Sequence, residues 1–299
     1  MQIIQLGILL LVMFSFFGLG LTPVILKLSN VSPDDFLNIS DQSPRRVINA
    51  ALWVQLFSAI GIFLLPALLF AYFTHPRPTE YLGLRAPRKL IQVLLCVIII
   101  VSATPLFLTV AEWMSHINIA AAKEAQELND RYMKAFLSMD SFGQLLVSLL
   151  IMAVLAGVSE ELFFRGLLMR FGTKASRNVV LGIVISALLF AAMHSNIYGL
   201  PSILLAGVLL GFFYYLTGSI WCNIIAHIIY NGLQVVMVYF ANKNPAIAKM
   251  NETNHVPGMW VVIGTLISVA AFYALWKIRT PLGPEWTNDF SKEELEGNQ

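Results

Sequence analysis

The sequence predicts an all-α, polytopic integral membrane protein of about eight transmembrane helices, and three observations carry that expectation. Of the 299 residues, 58% are hydrophobic and only 12% are charged, about half the ~25% charged fraction of a soluble domain. The mean hydropathy is +0.74. The apolar excess is gathered into runs close to the ~20 residues that cross a hydrocarbon core of about 30 Å. A formal net charge of +2 excludes nucleic acid as an expected partner, because it offers no basic footprint. The lipid bilayer is the expected surrounding, and oligomeric state has no signature in the chain.

The runs fall at roughly 3–27, 48–73, 90–114, 143–170, 178–196, 200–217, 219–241 and 258–278. All are expected to be helical, because backbone in lipid must satisfy its own hydrogen bonds, and none alternates with the period of a membrane strand. The first run is preceded by Met1-Gln2-Ile3-Ile4-Gln5, with no Lys or Arg, and is too long for the core of a signal peptide. It reads as a retained helix. Pro23, Pro66 and Pro105 lie inside runs and predict kinks that neighbouring helices tolerate. Cys96 and Cys222 also lie inside runs and read as buried small hydrophobes rather than a disulfide.

Between the runs, 29–47 reads as a loop. Residues 115–141 read as an amphipathic helix along the outer interface, with Ala125, Leu128, Tyr132 and Phe136 on one stripe and Lys123, Glu127, Asp130 and Lys134 elsewhere. The tail from Pro281 ends in Glu293, Glu294 and Glu296 and is expected to be solvated. Three regions follow: 1–142, the first three helices and the amphipathic segment; 143–241, helices four to seven; and 242–299, the last helix and polar tail.

Basic residues predict orientation. Arg77, Arg85, Arg88 and Lys89 form one group, Arg170, Lys174 and Arg177 a second, and Lys277 and Arg279 a third. With eight crossings they share a side, which makes that side cytoplasmic and places both termini there, in a cytoplasmic (inner) membrane. Lys27, Arg45, Arg46, Lys123, Arg131, Lys134, Lys243 and Lys249 fall on the other side, mostly near acids.

Charged groups at mid-bilayer cost at least ~2.5–3.5 kcal/mol each, so they mark function. They are concentrated in the second half of the chain. Helix four carries Ser159-Glu160-Glu161-Leu162-Phe163-Phe164-Arg165, helix five ends in Phe190-Ala191-Ala192-Met193-His194, and helix seven carries His227-Ile228-Ile229-Tyr230-Asn231. Adjacent helical residues point about 100° apart, so Glu160 and Glu161 cannot face one small site. Glu161 and Arg165 have the favourable four-residue spacing of an ion pair, which leaves Glu160 free to face a cavity as a base. His227 and Asn231 project from one face, as do Phe190 and His194. Glu160 lies about 15 Å below the end of helix four by its rise per residue, at a depth His227 matches. His194 comes out about 10 Å deeper on the same count, a gap that helix tilt can absorb. The three are expected to meet in a water-filled pocket open to the cytoplasm.

Glu-Glu-x-x-x-Arg, Phe-x-x-x-His and His-x-x-x-Asn, in that order on membrane helices across 143–241, resemble the CAAX-protease and bacteriocin-processing family, whose eukaryotic branch is the type II CAAX prenyl endopeptidase. The resemblance implies an intramembrane endopeptidase acting on a membrane-associated protein or peptide. By that match Glu160 activates water, His194 helps to position it, His227 and Asn231 stabilise the oxyanion, and Arg165 with Glu161 supports the site. Two routes stay open. Glu160, His194 and His227 would supply the three ligands of a catalytic zinc, although the His-Glu-x-x-His spacing is absent; alternatively, the glutamate works without metal.

These residue types suit peptide hydrolysis. A carboxylate can take the proton of the attacking water, and amide or imidazolium donors in a dry pocket lower the barrier. Ser159 has no base at helical spacing and reads as a packing residue. His75, His116 and His255 lie at helix ends or in loops, without a partner motif, and Tyr198, Trp221 and Tyr230 read as interface anchors. Three other functions compete. A proton-coupled transporter would use Glu160 and the histidines as a relay, but the chain lacks repeats and broken helix pairs. A haem carrier ligated by His194 and His227 leaves the glutamates and Asn231 without a role. A non-catalytic membrane scaffold is the third.

Overall fold

The computed structural model describes residues 2–117, 120–194, 196–244, 247–248, 256–283 and 286. Lys249, His255 and the acidic tail with Glu293, Glu294 and Glu296 lie outside the described residues. All regular structure among the described residues is helical. The principal elements are α1 (Ile4–Leu28), α2 (Arg45–Thr74), α3 (Leu90–Ser115), α4 (Ala120–Phe136), α5 (Phe142–Ser176), α6 (Val179–Ala192), α7 (Leu200–Thr217), α8 (Ile220–Ala241) and α9 (Gly258–Lys277). Seven of them, all but α4 and α6, are long and apolar enough to cross a membrane. Leu19, Leu28, Trp113, Leu266 and Val269 are exposed on the outside of the bundle, as expected where lipid is the solvent.

The fifth predicted run is shorter than its apolar stretch. Helix α6 has 14 residues, about 21 Å at 1.5 Å per residue. Its start is fixed by Asn178, whose Oδ1 accepts from the N–H groups of Val180 and Leu181 at 2.9 and 3.2 Å. Its end is a turn in which Asn196 Oδ1 accepts from Gly199 N–H at 2.7 Å, so residues after 192 leave the helix. The chain therefore has seven long membrane helices and one short one among the described residues.

Contacts between segments order the helices up and down. The Arg170 guanidinium lies 4.1 Å from the Tyr81 ring centroid. Gln92 donates to the Ile278 carbonyl at 3.2 Å. Gly83 O accepts from Ile220 N–H at 3.0 Å, and Thr280 N–H donates to Leu216 O at 2.8 Å. The three basic segments thus share one end of the bundle, together with the α7–α8 turn, where Gly218 takes the left-handed φ of 66° that lets α7 stop and α8 begin. At the other end Arg45 donates to the Ser138 carbonyl at 2.6 Å and Asn242 to that of Leu137 at 2.8 Å.

Pro23, Pro66 and Pro105 lie inside long helical spans without ending them. The α3 backbone is interrupted at Ala103, just before Pro105, and the carbonyls of Ile98 and Ile100 there accept from Ser102 and Thr104 hydroxyls at 2.6 and 3.4 Å. In α2 a wide π turn, Ile60–Leu64, precedes Pro66. Of the stripe on the amphipathic segment, Phe136 is buried, Ala125 and Tyr132 are half-buried and Leu128 is exposed. Cys96 and Cys222 are buried and unpaired by disulfide.

Close helix packing brings the polar residues together. An added Cβ on Gly157 of α5 would lie 3.2 Å from the Ile228 backbone nitrogen of α8, and one on Gly207 of α7 would lie 3.1 Å from Ala187 of α6. Phe163, Phe164, Phe190 and Tyr214 fill the space around these crossings.

Candidate active site

Helix α5 presents its two glutamates between two wide π turns, Leu149–Leu155 and Leu162–Leu168, a local form that recurs at functional sites. Glu161 is fully buried. Its Oε1 accepts from Arg165 Nη1 at 2.8 Å and from His227 Nδ1 at 2.9 Å, and its Oε2 accepts from Asn223 Nδ2 at 3.2 Å. Three donors on one carboxylate replace the hydration that burial removes. Arg165 Nη2 donates onward to the Gly207 carbonyl of α7 at 2.9 Å, and its guanidinium stands 4.6 Å over the Phe190 ring. Both charges are hydrogen-bonded, as a buried ion pair requires if it is not to destabilise the fold, although Arg165 Nε is buried without a hydrogen-bond partner.

Glu160, one residue earlier, points elsewhere. Its side chain is 17% exposed, and Oε2 is 3.8 Å from Nε2 of His227. That separation is longer than a hydrogen bond but within ion-pair reach. The imidazole of His227 therefore stands between two carboxylates of different character. One is sealed and fully bonded on the Nδ1 side. The other is partly open on the Nε2 side.

His194 sits just past the end of α6, half-buried, with Nδ1 2.8 Å from the Phe190 carbonyl. A carbonyl only accepts, so Nδ1 carries the hydrogen and Nε2 is the free nitrogen. Phe190 touches both imidazoles, with ring centroids 4.6 Å from His194 and 6.0 Å from His227. The two histidines meet the same aromatic ring, and His194 is linked to the carboxylate cluster through it. Asn231, half-buried one turn beyond His227, donates to the Met152 carbonyl of α5 at 3.2 Å.

The structure thus joins Glu160, Glu161, Arg165 and His227 directly, and sets His194 and Asn231 at the margins. One residue of the cluster, Asn223, escapes the sequence motifs, and another, Phe190, does more than its motif shows. Asn223 precedes His227 by four positions, so the spacing that links His227 to Asn231 extends one turn backward to it. Phe190 enters the sequence reading only as the first residue of Phe-x-x-x-His, yet it also packs against Phe164 at 5.1 Å and props Arg165. Ser159 is buried, with its hydroxyl turned to the Ala156 carbonyl at 3.4 Å, as a packing residue would be. His75 accepts from Arg77 N–H at 2.7 Å, away from the site.

The zinc set does not assemble. Among the described residues no three His, Cys, Asp or Glu side chains come together in a way that could hold a metal ion. Glu160 and His227 are adjacent, whereas His194 turns Nδ1 to the carbonyl of Phe190, whose ring packs against both imidazoles.

Residues 142–233 match the family model described as Type II CAAX prenyl endopeptidase Rce1-like. The matched stretch runs from the start of α5 into α8 and contains every group of the cluster. No curated protein and no solved structure matches the chain.

Proposed function

We propose that this chain is an intramembrane endopeptidase in which Glu160 activates the water that hydrolyses a peptide bond, a reading supported by the match of residues 142–233 to the Type II CAAX prenyl endopeptidase Rce1-like family model. Its substrate is a membrane-associated protein or peptide. The observation that carries this reading is the asymmetry around His227. A buried, ion-paired glutamate holds one edge of the ring, and a second, partly open glutamate faces the other.

In the proposed reaction a water held against Glu160 gives its proton to the carboxylate as its oxygen adds to the carbonyl carbon. The oxygen that becomes negative is met by the Nε2–H of an imidazolium at His227 and by the second amide hydrogen of Asn231. The C–N bond then breaks, and Glu160 returns the proton to the leaving amine. Glu161 and Arg165 take no proton; they fix the ring. His194 directs its free nitrogen to the water. No step passes through a metal.

The test is a comparison of membrane and secreted peptides in cells carrying the wild-type chain and cells carrying Glu160→Gln. The variant should insert and fold, and at least one membrane protein or peptide should accumulate uncut. Identical peptide profiles with equal expression would remove the catalytic assignment. An imidazole flanked by two carboxylates also resembles a proton relay, so a transporter is the second reading. Proton flux into proteoliposomes that is lost with Glu160→Gln, in the absence of any cleavage, would favour it.

A further inference from the structure

Asn223 has no part in the hydrolysis just proposed, yet it is wholly buried at the centre of the cluster. Its Nδ2 donates to Glu161 Oε2 on α5 at 3.2 Å and to the Leu210 carbonyl on α7. One amide on α8 thereby ties three helices. Its Oδ1 is buried without a hydrogen-bond partner. Turning the amide over would set that oxygen against a carboxylate and a carbonyl, two repulsive pairs, so the surroundings fix its orientation.

The rotation of Glu161 follows from that orientation. With Oε2 held by Asn223, Oε1 is the oxygen presented to both Arg165 and His227. A carboxylate only accepts, so Nδ1 of His227 must carry a hydrogen to meet it at 2.9 Å. The ring is then oriented with Nε2 toward Glu160. Other residues at this position would not do the same. Alanine would leave Glu161 Oε2 without a donor, and aspartate would set like charges face to face.

We propose that Asn223 is a positioning residue: it locks the Glu161 carboxylate in the rotation that keeps hydrogen on His227 Nδ1 and turns Nε2 to the Glu160 side. The activity part of this proposal rests on the endopeptidase reading; the part concerning the ring does not. Partners that orient a reacting group typically change rate about 10- to 100-fold when removed.

The experiment uses the full chain in nanodiscs with ¹⁵N-labelled histidine. The chain has five histidines, and His227→Gln identifies the resonance of interest. The wild-type ring should show a protonated, hydrogen-bonded Nδ1. Asn223→Ala should show a mixture with Nδ1 unprotonated, and Asn223→Gln, which retains the amide, should recover most of the wild-type signal. With a substrate in hand, Asn223→Ala should lower kcat about 10- to 100-fold with KM little changed, and Asn223→Gln should restore part of it. A wild-type ring with bare Nδ1, or an alanine variant that keeps both the Nδ1 proton and full kcat, would overturn the proposal. Should the alanine variant fail to fold, the wild-type and glutamine spectra decide. If no cleavage is found in any form, the endopeptidase reading fails while the ring measurement still judges Asn223.

Discussion

Arg165 shows how a guanidinium survives in an apolar interior. It is 1% exposed; Nη1 donates to Glu161 and Nη2 to the Gly207 carbonyl, with Phe190 beneath its plane. Arg165→Ala strands the Glu161 carboxylate, and breaking a buried pair in this way typically costs about 3–5 kcal/mol. A lowered thermal midpoint in detergent is the expected outcome, and an unchanged midpoint would contradict the pairing. Arg165→Lys should fall between the two forms, because an ammonium cannot serve both acceptors and stack on Phe190. The four-residue spacing makes the Glu161–Arg165 pair legible in the sequence. The bond from Glu161 to His227 is not, since 66 positions separate them and no helical period reaches across two helices. Asn223 is hard to read for a different reason. A single amide inside an apolar run is costly enough to imply a role, but it carries no charge to set it apart.

At the scale of elements, the site depends on how closely α5 and α8 approach. Gly157 lies one turn before Glu161, and any side chain there meets Ile228, including its backbone nitrogen at 3.2 Å from a Cβ. Gly157→Val should push the helices apart, lengthen the Glu161–His227 bond and destabilise by about 1–3 kcal/mol, the usual cost of overpacking. Loss of cleavage together with a lowered midpoint is expected; a variant with full activity and wild-type stability would show that the crossing is slack. Helix existence and order are legible from runs of apolar residues. Helix ends are not always so. The run at 178–196 stays apolar to Met193, yet α6 stops at Ala192 because the following turn is held by Asn196. The wide turns of α5 also leave no mark in hydropathy. The apolar stripe of α4 runs from Ala125 to Phe136 in sequence, whereas the residues of α4 that join the core are Tyr132, Ala135 and Phe136, at its C-terminal end.

The whole molecule makes two further commitments. Its three basic segments gather at one end, and the excess of Lys and Arg there predicts the cytoplasmic face. Lys174→Cys should react with an impermeant thiol reagent only after the inner face is opened, whereas Lys134→Cys should react from outside; the buried Cys96 and Cys222 should stay silent. Labelling of both sites from one face would refute the orientation. The second commitment concerns metals. Because the carboxylate and the two imidazoles do not form a ligand set, cleavage should persist in strong chelators, and activity lost to chelation and regained with zinc would reverse that reading. The shortness of α6 has a further consequence. The chain leaves the helix at Met193, about 21 Å along the path from Asn178, well before a bilayer of roughly 30 Å is crossed. Irregular chain at such a level survives only where protein or water surrounds it. The dip beside His194 therefore needs protein or water around it, so the short helix sets polar backbone at a depth where its long neighbours keep theirs bonded within the helix.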